Sequence, residues 1–140
     1  MRFMMIVKSD DESEAGQLPS PELFAAMDKY NEEMLKAGVM LSAEGLYPSS
    51  RGARVKFSGL KRTVVDGPFP ETKELIAGYW IIEVGSLQEA IEWAMRVPDD
   101  PMRPGGEGEI EIRQVGDVSD FPDLLPSREG EREPAERGAG

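Results

Sequence analysis

Chemistry in this chain must come from carboxylates, amines, guanidiniums, phenols or hydroxyls, because its 140 residues include no cysteine and no histidine. That removes thiolate nucleophiles, disulfides, iron–sulfur and thiolate–zinc sites, and the usual imidazole base and metal ligand. The candidates are densest between Lys61 and Val84, KRTVVDGPFPETKELIAGYWIIEV. Asp66 stands where an alternating strand stops, with Gly67 free to take positive φ and Pro68 fixing the next step. At the end of a buried strand and against Phe69, its carboxyl would be partly desolvated, raised in pKa and usable as a general acid or base. The competing reading is a turn aspartate that accepts the amides of Gly67 to Phe69. Glu71, Lys73 and Glu74 follow at once. Lys73 could fix an anionic ligand beside Asp66, or the group could be a solvated corner with weak ion pairs.

Glu44 is the second carboxylate of interest, because it interrupts the apolar pattern of its own strand. Facing the same cleft as Asp66 it would form a pair whose pKa values split; otherwise it marks the edge of a bulge at Glu44-Gly45. Arg51 and Arg54 could receive a carboxylate or phosphate. Tyr79 and Trp80 are neighbours on a strand and point to opposite faces. One packs under the helices and the other lines a cleft or dimer face, so Glu44, Glu71, Lys73 and Tyr79 are the candidate ligand contacts. Asp10-Asp11 and Asp99-Asp100 match no oxygen-ligand spacing. No metal and no cofactor is assigned.

The elements that must position these residues are legible from periodicity. Arg2 to Lys8 is almost continuously apolar, a strand covered on both faces. Asp10 to Pro19 reads as a loop. Ser20 caps a helix with Pro21 in its first turn, and Leu23, Met27, Tyr30 and Met34 form its stripe, widened by Phe24, until Gly38 stops it as a left-handed cap. Met4, Met5, Met27, Met34 and Met40 read as core filler. Val39 to Tyr47 is a second strand. Ala53, Val55 and Phe57 alternate with charged residues, and Gly59-Leu60 turns that strand back into Arg62 to Val65 as a hairpin. A long apolar strand spans about Leu75 to Val84.

Ser86 and Glu89 have capping-box spacing for a helix carrying Leu87, Ala90, Ile91 and Ala94 inward, with Trp93 at the border of that stripe, and Pro98 ends it. A proline- and glycine-rich loop over residues 98 to 108 precedes a last strand, Glu109 to Val115. From Pro122 the composition turns to Pro, Gly, Arg and Glu, the mark of a frayed tail. Without the hairpin the order is β-α-β-β-α-β, an α+β, ferredoxin-like split β-α-β plan. Two helices cover one face of such a sheet. The other, fed by Val7, Leu41, Ile81 or their neighbours, is best covered by self-association.

A net charge of −11 argues against nucleic acid and against anionic membrane surfaces as partners. The acidic cluster Asp10, Asp11, Glu12, Glu14 reads as a solvated face. The apolar run Phe3 to Val7 is too short for a signal-peptide core or a membrane span, so the expectation is a cytoplasmic protein.

Asp66-Gly67-Pro68-Phe69 with Glu71, Thr72, Lys73 and Glu74 resembles the DGPF signature of the YCII-related domain family. Ala37-Gly38-Val39, Glu44-Gly45-Leu46, Pro48, Gly78-Tyr79, Ala90-Ile91 and Pro98 extend the resemblance over residues 1 to 117, leaving 118 to 140 as a polar tail. The resemblance implies a homodimer, a dimeric α+β barrel in which two ferredoxin-like sheets pack face to face with a cleft in each subunit. It implies either a cofactor-independent isomerase or lyase acting on a small molecule, or a non-catalytic binding or regulatory module linked to sigma-factor-type transcription control. YCII-like proteins carry a His and Asp pair in the cleft; with no histidine here, Asp66 alone sits at a matching signature position.

Overall fold

The computed structural model describes residues 1–100 and 107–121. In chain order the elements are β1 (Arg2–Lys8), α1 (Asp11–Glu14), α2 (Pro21–Lys36), β2 (Met40–Gly45), β3 (Ala53–Ser58), β4 (Lys61–Asp66), β5 (Ile76–Glu83), α3 (Leu87–Met95) and β6 (Ile110–Gln114). β2, β5, β1 and β6 form one antiparallel sheet in that order, while β3 and β4 pair as a separate hairpin. This α+β arrangement is compatible with the ferredoxin-like plan, and the hairpin stands apart from it as an insertion. Much of the loop expected over residues 98 to 108, and the tail from Pro122, lie outside the described residues.

Strand register shows which side chains share a face. Phe3 lies opposite Ile82, Met5 opposite Trp80 and Ile112, and Ala43 opposite Trp80. These side chains meet Tyr30 and Met34 of α2 and Ala90 of α3 in one core, with Val7, Met27, Ile110 and Trp93 packed around it. The opposite face carries Met4 opposite Ile81, and Ile6 opposite Tyr79 and Glu111. No described element covers its centre. Val7 therefore differs from the sequence reading: it packs on the helix side, and the open face belongs to Met4, Ile6, Tyr79 and Ile81.

Helix ends follow local rules, with instructive departures. Ser20 accepts the Leu23 amide as N-cap of α2, and Gly38 takes φ +72° just past its end. Ser86 accepts the Glu89 amide, but Glu89 reaches back to the Gly85 amide at 3.1 Å, one residue earlier than a capping box requires. Asp10 to Pro19 is not all loop. Asp10 accepts the Ser13 amide at 2.7 Å and opens the single-turn α1. Phe24 and Leu87 are exposed, so both apolar stripes are narrower than their sequences suggest. The irregularity in β2 falls between Met40 and Ser42, and Glu44 and Gly45 pair regularly with Tyr79 and Gly78. Gly78 explains the regularity: a Cβ there would press on the Glu44 carbonyl, so the two strands close tightly at this point.

Tyr30 ties the layers together. Its ring meets Trp80 edge-on at 5.6 Å, and its hydroxyl donates to the Trp93 carbonyl at 2.6 Å, joining α2 to α3. Burial pushes its phenol up to about 12, with the Glu33 carboxylate adding to the rise and the Arg96 guanidinium opposing it. A raised folded-state pKa gives a contribution fully present below the unfolded value of 10.0, and lost as pH climbs through the folded value of about 12. Tyr30→Phe is expected to cost about 1 kcal/mol at neutral pH for the lost hydrogen bond. It is also expected to flatten the fall in urea midpoint across that alkaline window. An equally steep fall in the variant would assign the alkaline loss to other groups.

Candidate functional site

A broad groove of about 1250 Å³ opens on the helix side of the sheet, where the first turns of α2 face the ends of β2 and β5. Val7, Leu23, Met27, Ala43 and Trp80 give it an apolar floor, with Asn31 beside them. Asn31 accepts the Trp80 indole N–H at 2.8 Å, which fixes the ring in place. The rim is acidic. Asp10, Glu12, Glu44, Asp99, Asp100 and Glu107 line it, and Arg51 is the single cation among the described lining residues, stacked 3.9 Å above the Tyr47 ring. Among the described residues no three carboxylates converge closely enough to hold a metal ion.

One wall of the groove is held by a hydrogen-bonded knot beside it. Glu14 of α1 accepts the Ser49 amide at 2.8 Å and also the Ser49 hydroxyl. That hydroxyl in turn accepts the Phe69 amide at 3.0 Å. Thr72 donates to Asp11 at 3.1 Å, and the Gly67 amide to the Gly52 carbonyl at 3.0 Å. The segment from Pro48 to Gly52 is thus clamped between α1 and the turn after β4. Gly67 has no positive φ, contrary to the expectation from its place in a turn; its peptide bond to Pro68 is cis. What glycine supplies is space, since a Cβ there would overlap the Ser49 carbonyl oxygen.

The candidate residues do not assemble at one point. Glu44 and Tyr79 border the groove, opposite one another in register, but their side chains stand on the open face of the sheet, away from the apolar floor around Ala43 and Trp80. Asp66 is exposed at the end of β4 and lies outside the groove lining. Its carboxyl is not desolvated against Phe69, and the amides expected to bond it go elsewhere: Gly67 donates to Gly52 and Phe69 to Ser49. Phe69 is covered by Arg54, whose guanidinium sits 3.8 Å from the ring centroid. Glu71 pairs with the same Arg54 at 3.4 Å, an exposed contact worth little in water. Lys73 is exposed in the Thr72–Glu74 turn. Sequence reasoning missed Leu23, Met27 and Asn31 as groove residues, because a helical apolar stripe looks the same whether it meets a sheet or a ligand. It missed Glu14 because an acidic residue of a charged cluster carries no sign of a serine 35 positions away.

On the open sheet face Glu111 is held below the usual carboxylate range, first by its hydrogen bond to Arg113 and then by Lys8. No helix among the described residues is long and apolar enough to cross a membrane.

The family model for the YCII-related domain matches residues 1–118. An uncharacterised protein of Rhizobium meliloti (strain 1021) is 37% identical over 73 residues, which are 52% of this chain. The match spans 56% of that protein's own length, a little over half.

Proposed function

The chain belongs to the YCII-related domain family, and from that premise we propose that it is a small-molecule-binding module that works as a homodimer. The observation that carries this reading is the groove: an apolar floor around Trp80, framed by a wall whose backbone is clamped through Glu14, Ser49 and Phe69. Concave sites with a mostly apolar floor and a few polar groups at the rim are the usual seat of small ligands. Dimerisation through the open face would bring Met4, Ile6, Tyr79 and Ile81 against the same residues of a second copy, the geometry of a dimeric α+β barrel.

The catalytic alternative, an isomerase or lyase with Asp66 as acid or base, requires that carboxylate beside the bound molecule. Asp66 lies outside the groove lining, so binding without turnover is the reading its placement favours. A regulatory use, with the bound molecule as signal, asks nothing more of the groove. Of the candidate ligand contacts, Glu44 and Tyr79 border the groove from the open face of the sheet, where Tyr79 also belongs to the dimer contact; Glu71 and Lys73 stand at the exposed corner.

The neutral apolar dye prodan tests this reading. Its emission is expected to shift to the blue and to saturate at one dye per chain. Leu23→Asp puts a charge at the edge of the floor and is expected to weaken binding by about tenfold or more, the equivalent of losing one buried aliphatic side chain. Dye uptake that does not saturate, or that ignores Leu23→Asp, would place the ligand elsewhere.

A further inference from the structure

The β3–β4 hairpin is the least explained part of the molecule. Its two strands pair with each other and with no strand of the main sheet. Register puts Val55 opposite Val64 and Phe57 opposite Arg62 on one face. Val55, Phe57 and Val64 are all exposed, Phe57 at 68%, and Leu60 at the tip is fully exposed. A hairpin presenting that much apolar surface to water is poorly stable by itself and exposes a patch that ordinarily meets a partner. Gly59 takes φ +61° at the first position of a two-residue turn, which keeps the hairpin tight and regular to its tip. Its base is held by the Gly67–Gly52 hydrogen bond and by Arg54 against Phe69. The arm therefore has a fixed direction of departure.

Charge narrows the choice of partner. Arg54, Lys56, Lys61 and Arg62 against Asp66 alone give residues 53–66 a net +3, on a chain of net −11, so everything else carries −14. A polyanion such as nucleic acid or an anionic membrane would be attracted by the arm and repelled by the body behind it. A protein surface that is acidic and apolar at once matches the arm without that conflict. This chain has one. The groove mouth combines its acidic rim with exposed Leu18, Phe24, Leu46 and Tyr47. The arm does not line the groove of its own subunit.

We propose that the β3–β4 hairpin is an arm that docks across the groove mouth of a second copy of this chain, so that each ligand groove is roofed by its partner's hairpin. The proposal rests on the dimer of the preceding subsection and adds a residue contribution from the partner to the site. Since that dimer joins the open sheet faces, each arm passes the edge strand β2 to reach the groove on its partner's helix side. Phe57, Leu60 and Val64 supply the apolar roof, while Arg62, which register puts on the same face, meets the acidic rim. The pairing is reciprocal under two-fold symmetry, so two arms close two grooves.

Site-specific photocrosslinking tests this on the full chain. p-Benzoylphenylalanine replaces Phe57, and light- and heavy-isotope versions of the protein are mixed, left to exchange subunits and irradiated. The expected product joins a light to a heavy chain, from position 57 to the segments around 16–24 or 43–48. Lys56→Glu with Arg62→Glu is expected to reduce that product at least tenfold while leaving the circular dichroism spectrum unchanged, since the hairpin packs little against the body. A dimer by sedimentation equilibrium with no such interchain product overturns the arm and leaves the sheet-face dimer standing. A monomer at all concentrations, insensitive to Ile81→Glu, overturns both. Capture of polyuridylate or of phosphatidylglycerol vesicles by the hairpin, without self-crosslinking, also overturns the proposal in favour of a polyanionic partner.

Discussion

Gly67→Ala is expected to destabilise the protein by about 3 kcal/mol or more, at or beyond the upper end of what overpacking ordinarily costs. The reason is steric. An alanine Cβ at this position would overlap the Ser49 carbonyl oxygen and crowd the Ser49 carbonyl carbon, backbone atoms that cannot rotate aside. For the methyl group to fit, the segment from Pro48 to Gly52 must move away from the turn after β4. That movement stretches the Gly67–Gly52 and Phe69–Ser49 hydrogen bonds and pulls Ser49 from Glu14. Urea unfolding at one protein concentration measures the cost, with the concentration held because association stabilises the folded state. Gly85→Ala is the control: its Cβ meets only the Glu89 carboxylate, at an ordinary 3.6 Å, and a change below about 1 kcal/mol is expected. Equal effects at the two glycines would mean that the knot yields freely and does not hold the groove wall.

The same position shows where sequence reasoning stops. Asp-Gly-Pro announces a turn, and a turn is there. The sequence cannot say that glycine is needed because another segment, some eighteen positions earlier, passes against it. Elements with a local cause were legible: the strand Arg2–Lys8, the Ser20 cap, the Gly38 stop and the Gly59-Leu60 hairpin each follow from propensity, capping or turn chemistry within a few residues. The alternation of Tyr79 and Trp80 also held, with Trp80 inside and Tyr79 on the open face. What escaped was long-range. The bulge at Leu41 depends on how β2 meets β5, and Glu14 depends on a serine that only folding brings near. The groove is built from one stripe of α2 and the ends of β2 and β5, each ordinary by itself. Asp66 drew attention because it is chemically conspicuous; the turn around it uses the backbone of its neighbours.

Trp80→Ala is expected to cost about 3–5 kcal/mol, the range for removing a large aromatic side chain from a packed core. Trp80 is 6% exposed and lies opposite both Met5 and Ala43, so β1 and β2 have no other bulky residue between them at that level of β5. Its loss removes the edge-on contact with Tyr30 and strands the Asn31 amide without its indole partner. Trp80→Phe separates these effects. The phenyl ring keeps most of the packing and gives up the N–H, so its cost is expected to fall to about 1–2 kcal/mol. Asn31→Ala combined with Trp80→Phe should then cost less than the two single changes added together, because one hydrogen bond is counted twice. Dye binding gives the second readout. Trp80 forms part of the groove floor, so Trp80→Ala is expected to change prodan emission under conditions where the variant remains folded. Asn31→Ala is expected to leave the floor apolar and to bind the dye with a looser, less shifted spectrum. If Trp80→Ala lowered stability as stated yet left dye binding untouched, the residue would belong to the core alone, and the ligand would have to be sought outside this groove.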